Sequence, residues 1–276
     1  MRRMLISINL VSLFWSIFKY QFMQHAFEAG TVIAVVAGIM GYLVVLRRTA
    51  FASHAYAEIG FAGAAGSALI GINPLIGLLS STTISGFGIA VLGKRASERD
   101  VEIGSVLAFA LGLGLLFISL YTGYATEAYS ILFGEILGIS SASVVITVAV
   151  SAVILVALAI VYRPLLFSSL DESVAEAKGM RILFLGIVFM VLLAAAVSIA
   201  IQVTGVLLIF ALMVTPAATA TRLTKKPTHA IAVSALIALL ATWSGLLISF
   251  YEPYPVSFFI TSIVFGTYIV VRLVKK

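Results

Sequence analysis

The sequence contains no cysteine and little charge, and each absence excludes a class of function. Charged residues make up 10% of its 276 residues, and Cys is absent altogether. Disulfide frameworks, thiolate metal sites and cysteine nucleophiles are therefore excluded. By contrast, 62% of the residues are hydrophobic and the mean hydropathy is +1.19, far from the composition of soluble domains. The composition predicts an all-α, polytopic membrane protein with a single transmembrane domain over residues 1–276.

Two enzymatic signatures are also missing. The chain has no G-x-x-x-x-G-K-[ST] phosphate loop and no H-E-x-x-H metalloprotease motif, so we expect a non-catalytic protein. The net charge of +6 arises from small basic clusters between apolar segments. Such clusters are typical of membrane topology signals rather than of nucleic-acid binding.

Nine apolar segments are long enough to cross a membrane. They lie near residues 22–46, 51–72, 74–93, 101–121, 142–161, 181–201, 205–222, 228–249 and 253–272. Residues 4–18 are apolar but short, and either form a tenth span or lie on the membrane surface. No cleavable secretory signal is expected at the N-terminus.

Basic residues mark one side of the membrane. If the nine segments alternate, 14 of the 17 Lys and Arg residues fall on the same side, which the positive-inside rule assigns to the cytoplasm. The opposite side holds His25, Glu28, Glu127 and Glu252. The pattern predicts a cytoplasmic C-terminus. The inward basic residues are Arg47, Arg48, Lys94, Arg95, Arg99, Arg163, Lys178, Arg181, Arg222, Lys225, Lys226, Arg272, Lys275 and Lys276.

The segment 51–72 carries two ionisable side chains, His54 and Glu58, which lie on one helical face at i and i+4. A charged side chain inside a membrane costs about 2.5–3.5 kcal/mol on insertion scales, so such residues usually face a partner or a water-filled path. The functional interpretation is an ion pathway. The structural interpretation is that the pair bonds within itself or to a neighbouring helix.

Two irregularities interrupt the pattern. Residues 122–141 contain ILFGEILGI, which is too short to cross and predicts a re-entrant or surface helix carrying Glu135. Thr215 and Pro216 lie inside an apolar segment, where proline is expected to interrupt the helix and leave a short or broken span beside a cavity.

The loop 162–181 predicts a short capped helix on the cytoplasmic face. Pro164 is expected to end the preceding span. Ser168 or Ser169 offers an N-cap, Asp171 and Glu172 occupy the first turn, and Gly179 follows as a stop. The helix is either a connector or a docking surface for a cytosolic partner.

Three sequence features occur in order along the chain: Ser53-His54-Ala55, Asp171-Glu172 with Ala175 and Gly179, and Gly205-Val206-Leu207-Leu208 continuing to Val214-Thr215-Pro216-Ala217-Ala218-Thr219-Ala220. They support a resemblance, over most of residues 22–272, to the permease subunits of zinc/manganese-type ATP-binding-cassette (ABC) importers. It implies a type II importer fold in the cytoplasmic membrane. It also implies a homodimer, two cytosolic ATPase subunits and an extracytoplasmic metal-binding protein. The cargo would be a divalent metal ion, zinc or manganese, with no permanently bound cofactor.

The resemblance also assigns roles to residues. The coupling helix that contacts the ATPase would include Ser169, Leu170, Asp171, Glu172, Ala175 and Gly179. The metal is expected to be handled by His54 and Glu58, and this expectation comes from their chemistry and spacing rather than from the resemblance. Members of the family typically carry an acidic residue one turn before the histidine, where this chain has Ala50, and the acid Glu58 stands one turn after it instead.

Weaker candidates and one other class remain open. His25, Glu28, Glu135 and Glu252 could receive an ion at the outer mouth, although interfacial polar residues are common. His229 follows a predicted helix start and is expected to be structural. The alternative class is a secondary transporter in which Glu58 relays a proton or ion, but Gly/Pro-interrupted spans in two inverted halves are not evident.

Overall fold

The fold is an assembly of α-helices, as given by a computed structural model that describes residues 17–92, 96–120, 134 and 136–275. Ten helices are defined within these residues. They are α1 (Gln21–Leu46), α2 (Ala50–Leu69), α3 (Pro74–Leu92), α4 (Ala96–Leu120), α5 (Ser141–Leu170), α6 (Glu172–Ala177), α7 (Ile182–Thr204), α8 (Val206–Leu223), α9 (Pro227–Tyr251) and α10 (Val256–Val274). Nine of them match the nine apolar segments, and α6 lies in the loop 162–181.

Six of the described helices are long and apolar enough to cross a membrane. They are α1, α5, α7, α9, α10 and the part of α4 from Ile103 to Leu120, whereas α3 and α8 contain shorter apolar stretches. Helix α2, which carries His54 and Glu58, does not belong to this set. It packs against α3, α4, α7 and α8 instead, so a less apolar helix is enclosed by apolar ones.

Small residues allow α2 and α3 to approach closely. A Cβ atom at Gly63 would lie 2.4 Å from the carbonyl oxygen of Gly77, and one at Gly77 would lie 2.6 Å from the Cβ of Ser67. No side chain fits at such distances, so both glycines are required at this crossing. Small residues at such a spacing, here Gly63 and Ser67 on α2, are typical of close helix crossings in membrane proteins.

The helix interruption predicted at Pro216 occurs at Gly205 instead. Helix α8 continues through Pro216 to Leu223, so the predicted interruption is wrong at that residue. Helices α7 and α8 instead meet at Gly205, which has φ 77° and ψ 168°. This conformation strongly favours glycine, and it ends one helix and begins the next within a single residue. The apolar part of α8, from Leu208 to Leu223, is nevertheless short.

The prediction for the loop 162–181 is wrong in two details. Helix α5 continues through Pro164 to Leu170, and the N-cap of α6 is Asp171 rather than Ser168 or Ser169. The expected stop at Gly179 is confirmed: its φ is 78°, and the Met180 amide donates to the Ala175 carbonyl at 3.1 Å, as in a Schellman-type helix end.

Some predictions lie outside the described residues. These are most of the segment 4–18, proposed as a tenth span or a surface helix, most of the segment 122–141 including Glu135, and Glu127.

Candidate metal site

His54 lies in the second turn of α2, four residues after Ala50. At 1.5 Å per residue, this places it about 6 Å along the axis from the end of α2 that follows Arg47 and Arg48. The imidazole is partly buried and meets the ring of Phe210 on α8, with the ring centroids 5.4 Å apart. Its Nδ1 atom is buried and has no hydrogen-bond partner among the described residues. An imidazole nitrogen in this state can bind a ligand.

Glu58 follows one turn later and is also partly buried. Its spacing from His54 places both side chains on the same face of α2. Within the part of the chain that the structure describes, no three His, Cys, Asp or Glu side chains gather in a way that could hold a metal ion. Because a closed tetrahedral site needs four ligands, the described part of one chain offers at most half of such a site.

A cavity of about 310 Å³ lies at the other end of α2. Residues at the starts of α3 and α5 and at the end of α7 form its walls, together with Ala64 of α2. Gln202 contributes a buried Oε1 atom without a hydrogen-bond partner in the described residues. Ala64 lies ten residues after His54, so the cavity is about 15 Å from the His54/Glu58 pair along the helix axis.

Tight packing separates the cavity from the pair. A Cβ atom at Gly60 would lie 3.0 Å from the Thr82 side chain and 3.5 Å from that of Ile201. Thr82 and Ser198, both buried, share a hydrogen bond of 2.6 Å. An ion therefore cannot pass alongside α2 here unless the helices move or a surface shared with a second chain provides the path.

The Arg47 side chain connects the turn before α2 to the end of α5. Its Nη1 atom donates to the Ser169 hydroxyl at 2.9 Å and to the Ser168 hydroxyl at 3.4 Å. The guanidinium carbon lies 5.0 Å from the ring centroid of Phe189 on α7, which is cation–π geometry. Since Ser169 precedes the α6 cap by two residues, this contact links α6 to the helix that carries His54.

Asp171 caps α6. Its Oδ1 atom accepts from the Val174 amide at 3.0 Å and from the Ser173 hydroxyl at 2.7 Å. These hydrogen bonds, chiefly the one from Val174, hold the pKa of the Asp171 carboxyl below its ordinary value, because they favour the ionised form. The charged cap is therefore present at neutral pH and is lost only as the pH falls through that lowered pKa.

Of the weaker candidates that the structure describes, none lies beside the His54/Glu58 pair. His25 and Glu28 lie at the start of α1 and Glu252 follows α9, at the opposite end of the bundle from Arg47. The His25 ring bonds the Ile139 carbonyl at 3.1 Å through Nδ1, whereas Glu28 and Glu252 are exposed. His229 is exposed near the start of α9, with its Nδ1 atom 3.5 Å from the Thr228 hydroxyl.

Two features of the site were missed by sequence reasoning. Arg47 was interpreted only as a topology signal, and its partners are more than 120 residues away in the chain. Gln202 is a polar residue directly after the apolar segment 181–201, and that signal could have identified it.

Residues 19–275 match the ABC 3 transport family. The chain belongs to this family. Similar proteins include the manganese transport system membrane protein MntC of Listeria monocytogenes, which is 30% identical over 233 residues, covering 84% of this chain and 83% of that protein. The manganese import system permease protein ScaB of Streptococcus gordonii is 32% identical over 232 residues, with coverage of 84% and 83%.

The fold of this ABC 3 family chain is also similar to a solved structure. PsaBC from Streptococcus pneumoniae in complex with Fab matches with a TM-score of 0.85 and 28% identity, over 95% of each chain. Together with the six described apolar helices, the family membership makes this chain a multi-pass membrane permease of the metal ABC transporter class.

Proposed function

We propose that this chain is the membrane-spanning subunit of an importer for a divalent metal ion, manganese or zinc, driven by separate ATPase subunits. The observation that carries the proposal is the unpartnered Nδ1 atom of His54, one turn from Glu58 on the enclosed helix α2. Imidazole suits zinc and other transition metals, and carboxylate also accepts manganese. Manganese appears in the names of two of the similar proteins.

The functional unit is a homodimer in this proposal. One chain offers His54 and Glu58, and a two-fold axis would bring together up to four such ligands. A site shared between chains is complete only in the assembled dimer. It would also bind an ion weakly enough for release, as conduction requires.

The two ends of the bundle have separate partners in this proposal. Nine helices span the membrane, and the basic end, which holds Arg47, Lys178 and Lys275, faces the cytoplasm. There the ATPase contacts α6, and Arg47 carries its movement to the base of α2. An extracytoplasmic metal-binding protein delivers the ion at the opposite end, where the cavity beside Gln202 opens.

Metal uptake by cells that express the whole transporter tests the proposal. Manganese, zinc, iron and copper are compared, with either the intact ATPase or an ATPase whose phosphate-loop lysine is replaced. We expect uptake of manganese or zinc that disappears with the defective ATPase and persists when a protonophore is added. Uptake that survives loss of the ATPase but stops with the protonophore would instead indicate a secondary transporter.

A further inference from the structure

A basic groove lies between α5 and the turn that follows α6. Its lining consists of Arg163, Pro164, Phe167, Lys178 and Met180, and its volume is about 390 Å³. The Lys178 Nζ atom is 4.9 Å from the ring centroid of Phe167. Arg163 precedes Phe167 by one helical turn, about 6 Å along the axis, so a guanidinium and an ammonium group flank the same aromatic ring.

The turn that carries Lys178 is held in place by backbone hydrogen bonds. The Lys178 amide donates to the Val174 carbonyl at 3.1 Å, and the Gly179 amide donates to Glu176 at 2.8 Å. The positive φ of Gly179 then directs Met180 back into the groove lining. The groove is thus formed by a fixed turn packed beside α5.

The position of the groove on α5 indicates the membrane boundary. Val153, Val156 and Ile160 are 68%, 62% and 75% exposed, and their spacing of three and four residues forms one helical stripe that reaches Arg163. An apolar, exposed stripe that ends in a cation is the pattern of a helix leaving the hydrocarbon for the headgroup layer.

The two cations have no acidic partner within the described part of the chain. Lys178 contacts Phe167, and neither Lys178 nor Arg163 forms an ion pair with a described carboxylate. We propose that this groove binds the phosphate headgroup of an anionic phospholipid. Arg163 and Lys178 contact the phosphate, while Phe167 and Met180 pack against the first methylene groups of the acyl chains.

The ATPase is the competing occupant, and the distribution of charge argues against it. The exposed side chains that α6 presents to the solvent include Asp171, Glu172 and Glu176, so the surface proposed to meet the ATPase is acidic. The groove is basic and continues the exposed stripe of α5. With the basic end in the cytoplasm, as proposed above, the lipid belongs to the inner leaflet.

Native mass spectrometry of the purified full chain tests the site. The chain is titrated with phosphatidylglycerol or phosphatidylcholine, and the bound fraction is measured for the parent and for Arg163→Gln with Lys178→Gln. We expect phosphatidylglycerol to bind in preference to phosphatidylcholine, and the double variant to lose about fivefold in affinity for each cation removed. The control variant Lys225→Gln with Lys226→Gln removes two exposed cations near the start of α9 and should retain binding.

A charge-conserving variant, Arg163→Lys with Lys178→Arg, keeps the test decisive if the neutral variant does not fold. It should bind phosphatidylglycerol within about twofold of the parent, because the same number of positive charges faces the phosphate. The proposal is overturned by an equal loss in the Lys225/Lys226 control or by displacement of the lipid with millimolar inorganic phosphate. It is also overturned if the neutral variant keeps its lipid but no longer copurifies with the ATPase.

Discussion

The His54 side chain is unusual because a buried ring nitrogen has no partner in the described residues. A buried polar atom without a hydrogen bond costs about 1–3 kcal/mol, and the edge-on contact with Phe210 does not offset this as a hydrogen bond would. A structural histidine would be expected to have found a partner on the enclosing helices. The unused nitrogen therefore favours a ligand role for His54, with Glu58 as the second donor on the same face.

The first prediction separates a ligand role from a packing role for this pair. His54→Ala and Glu58→Gln should abolish metal uptake or change its selectivity, while thermal unfolding and dimer yield stay close to those of the parent. Stability should be retained because the His54 Nδ1 atom has no hydrogen-bond partner in the described residues, so its removal leaves no buried polar group unpaired. Uptake of each metal and the unfolding temperature are measured on the same preparations.

A matched control is Ser53→Ala, which changes the residue before His54. Its hydroxyl donates to the Ala50 carbonyl at 2.7 Å within α2, so its loss should leave uptake unchanged. If the His54 and Glu58 variants unfold at lower temperature yet transport the original metals, the pair is packing and the ligand assignment is wrong.

At the scale of the helices, the Arg47 side chain links the end of α5, which leads into α6, to the turn before α2. Arg47 joins Ser169 at the end of α5 to the turn before α2, and it contacts Phe189 on α7 as well. In the proposed mechanism, a displacement of α6 is transmitted through Arg47 to the turn before the His54/Glu58 helix. This gives the proposed coupling helix a defined mechanical path.

The second prediction concerns this path. Arg47→Gln should leave the permease folded and bound to the ATPase but reduce metal uptake per ATP hydrolysed by roughly tenfold, because hydrogen bonds that involve a charged group contribute about 1.5–3 kcal/mol. Ser169→Ala should act in the same direction, more weakly. Uptake and hydrolysis are measured together in reconstituted vesicles.

Arg48→Gln is the control, since it removes the same charge from the adjacent, exposed residue. If Arg47→Gln and Arg48→Gln reduce uptake equally, the effect is one of surface charge. Unchanged coupling in Arg47→Gln would mean that α6 acts on α2 by another route.

The helices show what the sequence could and could not predict. Apolar length located nine helices, because burial in lipid depends on composition, but α5 ends at Leu170 rather than near residue 161 and α4 begins at Ala96 rather than near residue 101. The predictions that Pro164 would end a helix and Pro216 would interrupt one were wrong, because α5 and α8 continue through these residues. Neighbouring groups in a membrane protein can satisfy the carbonyl that proline leaves without an amide partner. The Arg47–Ser169 contact spans 122 residues, and no local pattern encodes it. The i, i+4 spacing of His54 and Glu58 identified the candidate site, but the free state of Nδ1 required the packed structure.

At the scale of the whole molecule, the two ends of the bundle differ in chemistry. One end carries Arg47 with its serine partners, and Lys275 donates to the Leu223 carbonyl at 2.8 Å where α8 and α10 finish. The other end contains the uncharged cavity beside Gln202 and the bond from His25 to Ile139. This asymmetry agrees with a membrane orientation in which the basic end faces the cytoplasm.

The last prediction tests that orientation, and the absence of cysteine makes it direct, because each introduced cysteine is the only one in the chain. Glu252→Cys lies in the turn between α9 and α10, and Lys225→Cys lies in the turn between α8 and α9; both positions are exposed. Since α9 alone separates them, a membrane-impermeant maleimide added to intact cells should label Cys at 252 but reach Cys at 225 only after the membrane is opened.

Ser173→Cys, on α6, should behave like the variant at 225, because the ATPase can meet α6 only from the cytoplasm. Labelling of the variant at 173 in intact cells would place α6 outside, and both the proposed ATPase contact and the inner-leaflet assignment of the lipid groove would then be wrong.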